Sequence, residues 1–540
     1  MKYGFVIDNR KCIGCHACTT ACKSEHDVPV GVFRTWVKQV EKGAFPHTRR
    51  LFSVMRCNHC TDAPCVDICP VEALYTRPDG IVDFDKNRCI GCKSCMQACP
   101  YDALYIDPDS HTAAKCNYCA HRVDIGLEPA CVNVCPEHAI ISGDMDNPET
   151  EIFQLLGREQ VSVRKAAKGT GPNVYYIEGD EASLNPLANE KPSFTLWGAQ
   201  SRGVGHFASQ TEKLAYDGDD IVKAALAANG SAVSSAEMGQ LKNGIKSVDV
   251  LMGNSRRVYD APSKGILWGW EVPAYVWTKS IAAGAFLVPF LAEAFGLAFP
   301  DDLTQWAAIG LSLVFLVLTG AFLVMDLDRP DRFLNVLLRP QWGSWLVRGG
   351  YAITVYGLLL TIVAAAAFFS LDGLREAASW LTAAVAVMVA VYTAFLFAQA
   401  KGRDFWQSPA LPLHMLIHSL MSGAAVFSLI SLFAEADADW AGYLRGMMSL
   451  MVVLNLLTLW VELSISHPTE EARVTVNMIV RGQYASRFRW GVLLAGNLLP
   501  LALLLLPGAA FTPLAAALIL AGIYITERIW VEAPQRVSLS

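Results

Sequence analysis

The sequence predicts two architectures in tandem: a small, cysteine-rich α+β domain, then an all-α membrane bundle of eight transmembrane helices. Three observations predict it. All 16 cysteines lie between Cys12 and Cys135, the chain from Trp268 onward is a succession of long apolar runs, and basic residues crowd into alternate loops between those runs. The 540 residues therefore divide into a first domain over 1–190, a linker over 191–264 rich in Gly, Ala and Ser, and a membrane domain over 265–540. A formal net charge of -6 is small for this length and no glycine-rich phosphate cradle stands out, so no nucleic acid is expected as a partner.

The first domain is read from cysteine spacing. The groups are Cys12, Cys15, Cys18, Cys22; Cys57, Cys60, Cys65, Cys69; Cys89, Cys92, Cys95, Cys99; and Cys116, Cys119, Cys131, Cys135. The first and third follow the C-x2-C-x2-C-x3-C run of bacterial ferredoxins, in which three thiolates hold one cubane and the fourth serves its neighbour. The second and fourth stretch the middle interval. Structural zinc spaces two C-x-x-C pairs widely, whereas three cysteines within seven residues suit a cubane, so a ferredoxin-like iron-sulfur domain is expected. Proline follows the last cysteine in three groups (Pro70, Pro100, Pro136), while Lys23 follows Cys22.

Only 19 residues separate groups two and three, so these pair with each other and groups one and four pair outside them. The nesting predicts four [4Fe-4S] clusters. The first takes Cys12, Cys15, Cys18 and Cys135; the second Cys57, Cys60, Cys65 and Cys99; the third Cys89, Cys92, Cys95 and Cys69; the fourth Cys116, Cys119, Cys131 and Cys22. Four clusters form a chain of one-electron carriers. His59, His121 and His138 lie near the cysteines and are read as surface or hydrogen-bonding residues.

Runs long enough to cross a bilayer cover 271–298, 304–325, 346–369, 378–399, 411–433, 442–465, 490–507 and 511–530. An even count puts both termini on one face. Loops on that face carry Arg329, Arg332, Arg339, Arg348, Lys401, Arg403, Arg473, Arg481, Arg487, Arg489, Arg528 and Arg536, against Arg375 and Arg445 opposite. Twelve against two places the termini and the cluster domain in the cytoplasm, at the inner membrane. The start, MKYGFVIDNRKCIGC, agrees: it shows neither a charged-then-apolar signal nor a twin-arginine pair.

Ionisable residues inside the spans are costly and mark function. Glu271, Tyr275 and Lys279 recur every four residues, so they share one face of the first span. Asp326, His414, His418, Glu462 and Glu527 lie near the same membrane face, with Tyr392 about two turns deeper; the opposite half offers little beyond Glu293. Donors beside an apolar slot suit a quinone. The bland alternatives are ion pairs that only fix helix packing and, for Glu462 and Glu527, simple access to water. No haem is expected, because His414 and His418 share one helix and His467 is the other histidine of the domain.

These residues also carry a resemblance. Residues 1–190, through CNHCTDAPCVDICP and CNYCAHRVDIGLEPACVNVCP, resemble the four-cluster subunits of DMSO reductase superfamily molybdopterin oxidoreductases. From about 259 the chain resembles the polysulfide reductase membrane subunits, through WGWEVPAYVWTKSIAAG, DLDRPDRFLNVLLRP, AQAKGRDFW and ERIWVEAPQ. The resemblance implies a partner catalytic subunit holding a molybdenum or tungsten pterin. It also implies a menaquinone or ubiquinone site drawing on the first span and on a tyrosine of the fourth, here Glu271, Tyr275 and Tyr392. Lys279, His414 and His418 join that pocket on physical grounds. In kind the chain is closest to cytoplasm-facing, sulfite-oxidising quinone reductases, which points to respiration of sulfur compounds such as sulfite, polysulfide or thiosulfate. Two rival functions are an ion-translocating redox module, which needs a polar route to the far face, and a membrane anchor with redox-silent clusters.

Overall fold

The computed structural model describes residues 1–44, 47–189, 255–433, 437–506 and 511–540. It has two compact units, one of Met1–Val66, Glu72–Leu267 and Ser538–Ser540, the other of Asp67–Val71 with Trp268–Val537.

The first unit is built on Tyr3–Asp8, a strand buried almost throughout. It pairs in parallel with Val174–Ile177 and antiparallel with Ile140–Asp144, and alternation sends its side chains to two faces. Phe5 and Ile7 join a core with Trp36, Val54, Tyr118, Cys18 and Cys131, so this face carries the thiols. Val6 packs on the other face with Ile141, Ile152 and Leu155, under the helix Glu151–Arg158. Thr150 caps that helix, its hydroxyl accepting the Phe153 N–H at 3.4 Å.

A long hairpin, Thr35–Ala44 with His47–Arg56, gains Ser255–Tyr259 as a third antiparallel strand. The linker expected over 191–264 lies largely outside the described residues, but its last part is structured within this unit. Arg257 and Asp260 form a fully buried ion pair at 2.8 Å, and the Trp36 indole donates to Asp260 at 2.8 Å. A five-residue strand with two arginines has no run of apolar residues to announce it. Two short hairpins, Leu74–Thr76 with Val82–Phe84 and Leu104–Asp107 with Thr112–Lys115, separate groups two, three and four of the cysteines.

Among the described residues the second unit has eight helices long and apolar enough to cross a membrane: Glu271–Ala294, Asp302–Met325, Trp345–Phe368, Asp372–Gln399, Leu411–Ile430, Ala438–Ser464, Arg487–Leu505 and Thr512–Gln535. The expected seventh run ended at 507, a position outside the described residues. The first span is the bundle's axis: 83% of its apolar window is buried, against 28% for the second and third. Backbone contact makes this possible. A Cβ at Gly284 of the first span would overlap the Ser419 carbonyl, and one at Gly423 of the fifth would overlap the Gly284 backbone. Gly423→Val is expected to cost at least about 1–3 kcal/mol, read as a lowered Tm of the full chain in detergent; an unchanged Tm would show that the helices can part freely.

The seventh span departs from a plain helix. Arg487–Leu498 is wound as a π-helix before Leu499–Leu505 returns to α. Apolar composition is blind to that difference, since both windings hide the backbone from lipid.

Candidate functional sites

Each cysteine group opens with C-x-x-C, and its second intervening residue is left-handed every time: Gly14 (φ 69°), His59 (φ 43°), Gly91 (φ 71°) and Tyr118 (φ 62°). Such a turn brings both thiols and the intervening N–H groups to one side. None of the sixteen sulfurs is tied up in a disulfide. Cys12, Cys15, Cys18 and Cys135 line a single cavity with Gly14 and His16. Burial pushes the Cys22 thiol up, followed by its neighbours Cys116, Cys131 and Cys119. Burial, then Cys57 and Cys99, pushes Cys60 up to about 12, and burial, then Cys99, Cys57 and Cys60 beside it, raises Cys65.

Three of the four nested sets are thus gathered within the first unit. Cys89, Cys92 and Cys95 lie there too, and Cys89 Sγ accepts the N–H groups of Gly91 (3.4 Å) and Ala113 (3.3 Å). Cys69 belongs to the Asp67–Val71 segment of the second unit, where the Ser344 hydroxyl donates to the Ile68 carbonyl at 2.8 Å and the Gln341 N–H to the Pro70 carbonyl at 3.1 Å.

Buried cations test whether an anionic cluster fits. Arg56 is 1% exposed, with Nη2 3.4 Å from Cys131 Sγ and its Nε and Nη1 groups without a hydrogen-bond partner. Burial works against its charge, yet the thiols of Cys131, Cys116 and Cys18 hold its pKa above the ordinary value. Lys115 is fully buried; its Nζ lies 3.6 Å from Cys57 Sγ and donates to the carbonyls of Val82 and Cys116. Arg56 also meets the Thr35 hydroxyl at 3.4 Å and the Phe5 ring at 4.2 Å, and a buried cation whose partners are sulfur, neutral oxygen and a ring is costly until a negative charge joins it. Four thiolates on a cubane supply that charge, so the residues fit the group.

Two of the neighbouring histidines, His26 and His59, are held toward the neutral form by burial. Burial, then Arg34 and His121, lowers His26 to about 4, and its Nε2 lies 3.1 Å from Cys119 Sγ. Burial, Lys115 and Arg56 hold His59 well below the ordinary value; its Nδ1 accepts the Val82 N–H at 3.2 Å, which leaves the proton on Nε2. His59 is therefore an interior residue, whereas His121 and His138 pair at the surface with Glu25 (2.7 Å) and Glu151 (2.9 Å).

Within the membrane bundle, Lys279 is fully buried and donates to the Ala390 carbonyl at 2.9 Å and to Thr393 Oγ1 at 2.8 Å, with its Nζ 4.8 Å from the centre of the Tyr392 ring. Tyr275 is buried one turn away on the same helix, and Glu271 is half-buried at its start. Tyr392 is held against the bare backbone of Gly349, where any Cβ would overlap its ring. The first and fourth spans thus place Tyr275, Lys279 and Tyr392 together.

His414 and His418 stack edge-on at 4.2 Å on the fifth span, each with its own carboxylate. His414 Nδ1 meets Glu462 at 2.9 Å and His418 Nδ1 meets Glu527 at 2.7 Å. Both carboxylates are buried, so neither reaches water as the blander reading of the sequence had it. Lys279 and Glu527 are near enough for their charges to interact. Sequence reasoning passed over Thr393, Asn455 and Asn497 because they are neutral, and over Arg56 and Lys115 although each immediately precedes the first cysteine of a group. That position was an available signal.

Comparison with known proteins follows this division. Residues 260–531 match the family described as polysulphide reductase, NrfD, and residues 11–74 and 48–145 match 4Fe-4S dicluster domains. A tetrathionate reductase subunit of Salmonella typhimurium is 44% identical over 190 residues, covering 34% of this chain and 76% of that protein. The arsenate respiratory reductase iron-sulfur subunit ArrB of a Shewanella species is 33% identical over 225 residues, 33% of this chain and 96% of its own length. The thiosulfate reductase electron transfer subunit PhsB of Salmonella typhi is 41% identical over 177 residues, 32% of this chain and 91% of its own.

Proposed function

Because the chain belongs to the polysulphide reductase NrfD family, and in its first third to the iron-sulfur subunits of respiratory reductases, we propose that it carries electrons between a molybdopterin catalytic partner and membrane quinone. It is an iron-sulfur electron-transfer subunit fused to a multi-pass membrane subunit. The finer reading adds four [4Fe-4S] clusters on the nested cysteine sets, a molybdenum or tungsten pterin partner acting on a sulfur compound, and menaquinone or ubiquinone in the bundle. The clusters supply one-electron transfer. The basic loops favour the cytoplasmic face of the inner membrane for both termini.

The observation that carries the quinone reading is Lys279: a buried ammonium held by a carbonyl and a hydroxyl beside two buried tyrosines. Its third proton is left for a carbonyl oxygen of the substrate, and the tyrosine hydroxyls are further donors. An ion-translocating module needs a polar route along the bundle. The other end of spans one to four does hold a cavity rimmed by Glu293, Asp302, Asp372 and Glu376, but inward its lining turns to Phe286, Ile309 and Val363 and includes none of Tyr275, Lys279 or Thr393. That apolar floor favours quinone chemistry over transport. Low-temperature EPR of the chain with its partner, followed while the quinone pool is poised from oxidised to reduced, tests the reading. The cluster signals should follow the pool; signals that ignore it would leave a redox-silent anchor.

A further inference from the structure

The second polar group of the bundle has a direction built into its hydrogen bonds. It starts in the π-helical segment of the seventh span, where Asn497 lies five residues after Val492 and donates from Nδ2 to the Val492 carbonyl at 2.8 Å. A carbonyl can only accept, so Asn497 must point Oδ1 the other way. That oxygen accepts from Asn455 Nδ2 of the sixth span at 2.9 Å, which orients the second amide in turn. Asn455 Oδ1 therefore faces His418 Nε2 at 3.2 Å, and this nitrogen must carry hydrogen.

The opposite ring nitrogen, Nδ1, lies 2.7 Å from Glu527 Oε1. With Nε2 already protonated, a proton must also sit between Nδ1 and the carboxyl oxygen, either as imidazolium and carboxylate or as imidazole and carboxylic acid. Without it, a nitrogen lone pair would face a carboxylate oxygen in a site sealed from water. Asn455, Asn497, His418 and Glu527 are each buried. A Cβ at Gly496 or Gly522 would strike the other helix, and that close crossing of spans seven and eight brings Asn497 beside this chain.

We propose that Asn455 and Asn497 are positioning residues that keep His418 Nε2 a donor, so that the His418–Glu527 bridge permanently holds one proton for exchange with the substrate site. The charged groups that face the bridge are Lys279 from the first span, His414 on the same helix and, through His414, Glu462 of the sixth. Asn455 Oδ1 lies within hydrogen-bond distance of Nε2, whereas Glu527 bonds to the opposite nitrogen and Glu462 to His414. Release of the proton to a quinone oxygen rests on the quinone reading above; the protonation state of His418 does not.

Solid-state NMR of the full chain in lipid with 15N-histidine, the His418 resonances assigned by their loss in His418→Gln, reads that state directly. In the unaltered chain Nε2 should stay protonated from about pH 5 to 9, across the range in which a free imidazole changes charge. Asn497→Leu frees Asn455 to turn its Nδ2 toward the ring, so Nε2 should lose its hydrogen. Asn455→Asp, whose carboxylate only accepts, should restore the Nε2 hydrogen in the Asn497→Leu background. A bare Nε2 in the unaltered chain, or an Nε2 hydrogen that survives Asn497→Leu, overturns the proposal. A purely structural role for Asn497 would lower Tm and leave the nitrogen signals in place. If the NMR pattern holds while the pH profile of quinone turnover in Asn497→Leu moves by less than about one unit, exchange of the bridge proton with the substrate site is overturned; no quinone turnover in the unaltered chain with its partner would instead sink the quinone reading.

Discussion

Replacing Lys279 with methionine should lower quinone turnover by about 10²–10⁴-fold while the protein stays folded and its clusters stay intact. The ammonium touches Ala390, Thr393 and the face of Tyr392, and no carboxylate is among those partners, so removing it strands no opposite charge at contact distance. Methionine, of similar length, removes the desolvation cost of a buried charge, which offsets the two hydrogen bonds lost to the carbonyl and the hydroxyl. Thr393 and Ala390 lie in one helix and each loses one donated hydrogen bond. Stability and activity should therefore separate: Tm nearly unchanged, cluster EPR unchanged, and reoxidation of reduced clusters by added quinone nearly abolished. Turnover within about threefold of the unaltered protein would reduce Lys279 to a packing residue, at odds with the magnitude expected of a proton donor.

Removing Cys22 or Cys116 should erase the same paramagnetic centre, although the two residues belong to the first and last cysteine groups. Burial first, then Cys116, Cys131 and Cys119, raises the Cys22 thiol, so its sulfur lies among those of the fourth group. Cys135, from the fourth group, lines the cavity of Cys12, Cys15 and Cys18. Cys22→Ala and Cys116→Ala should each lose about four of about sixteen iron atoms and one and the same EPR signal, and Cys135→Ala a different one. Because each cluster is a link in series, electron transfer from partner to quinone should stop in all three. Loss of different signals in Cys22→Ala and Cys116→Ala would break the crossed pairing.

Much of this was legible in the sequence for a plain reason: metal ligands and bilayer spans both demand composition at fixed spacing. The cysteine groups, their crossing and the eight spans are read from such spacing. The parts that escaped obey no spacing rule. Arg56 and Lys115 are single cations whose burial appears only when the strands carrying them close over the thiols. Asn455 and Asn497 carry no charge, and a search for costly groups in hydrocarbon favours charge. The π-winding over Arg487–Leu498 has the same apolar content as an α-helix, and Ser255–Tyr259 is a strand only because the hairpin beside it offers an edge.

The left-handed turns of the four cysteine groups differ in what makes them tolerable. Glycine occupies two of them, Gly14 and Gly91, and adopts that backbone without steric cost. The other two use His59 and Tyr118, for which the conformation costs on the order of 1 kcal/mol or more. There the two rings pack edge to face at 5.4 Å, and Tyr118 lies 4.3 Å from Phe5 of the central strand. The turns of groups one and three thus rest on glycine alone, whereas those of groups two and four lean on each other's rings and, through Phe5, on the central strand, so a substitution in that strand reaches the ligating turns of two cysteine groups at once.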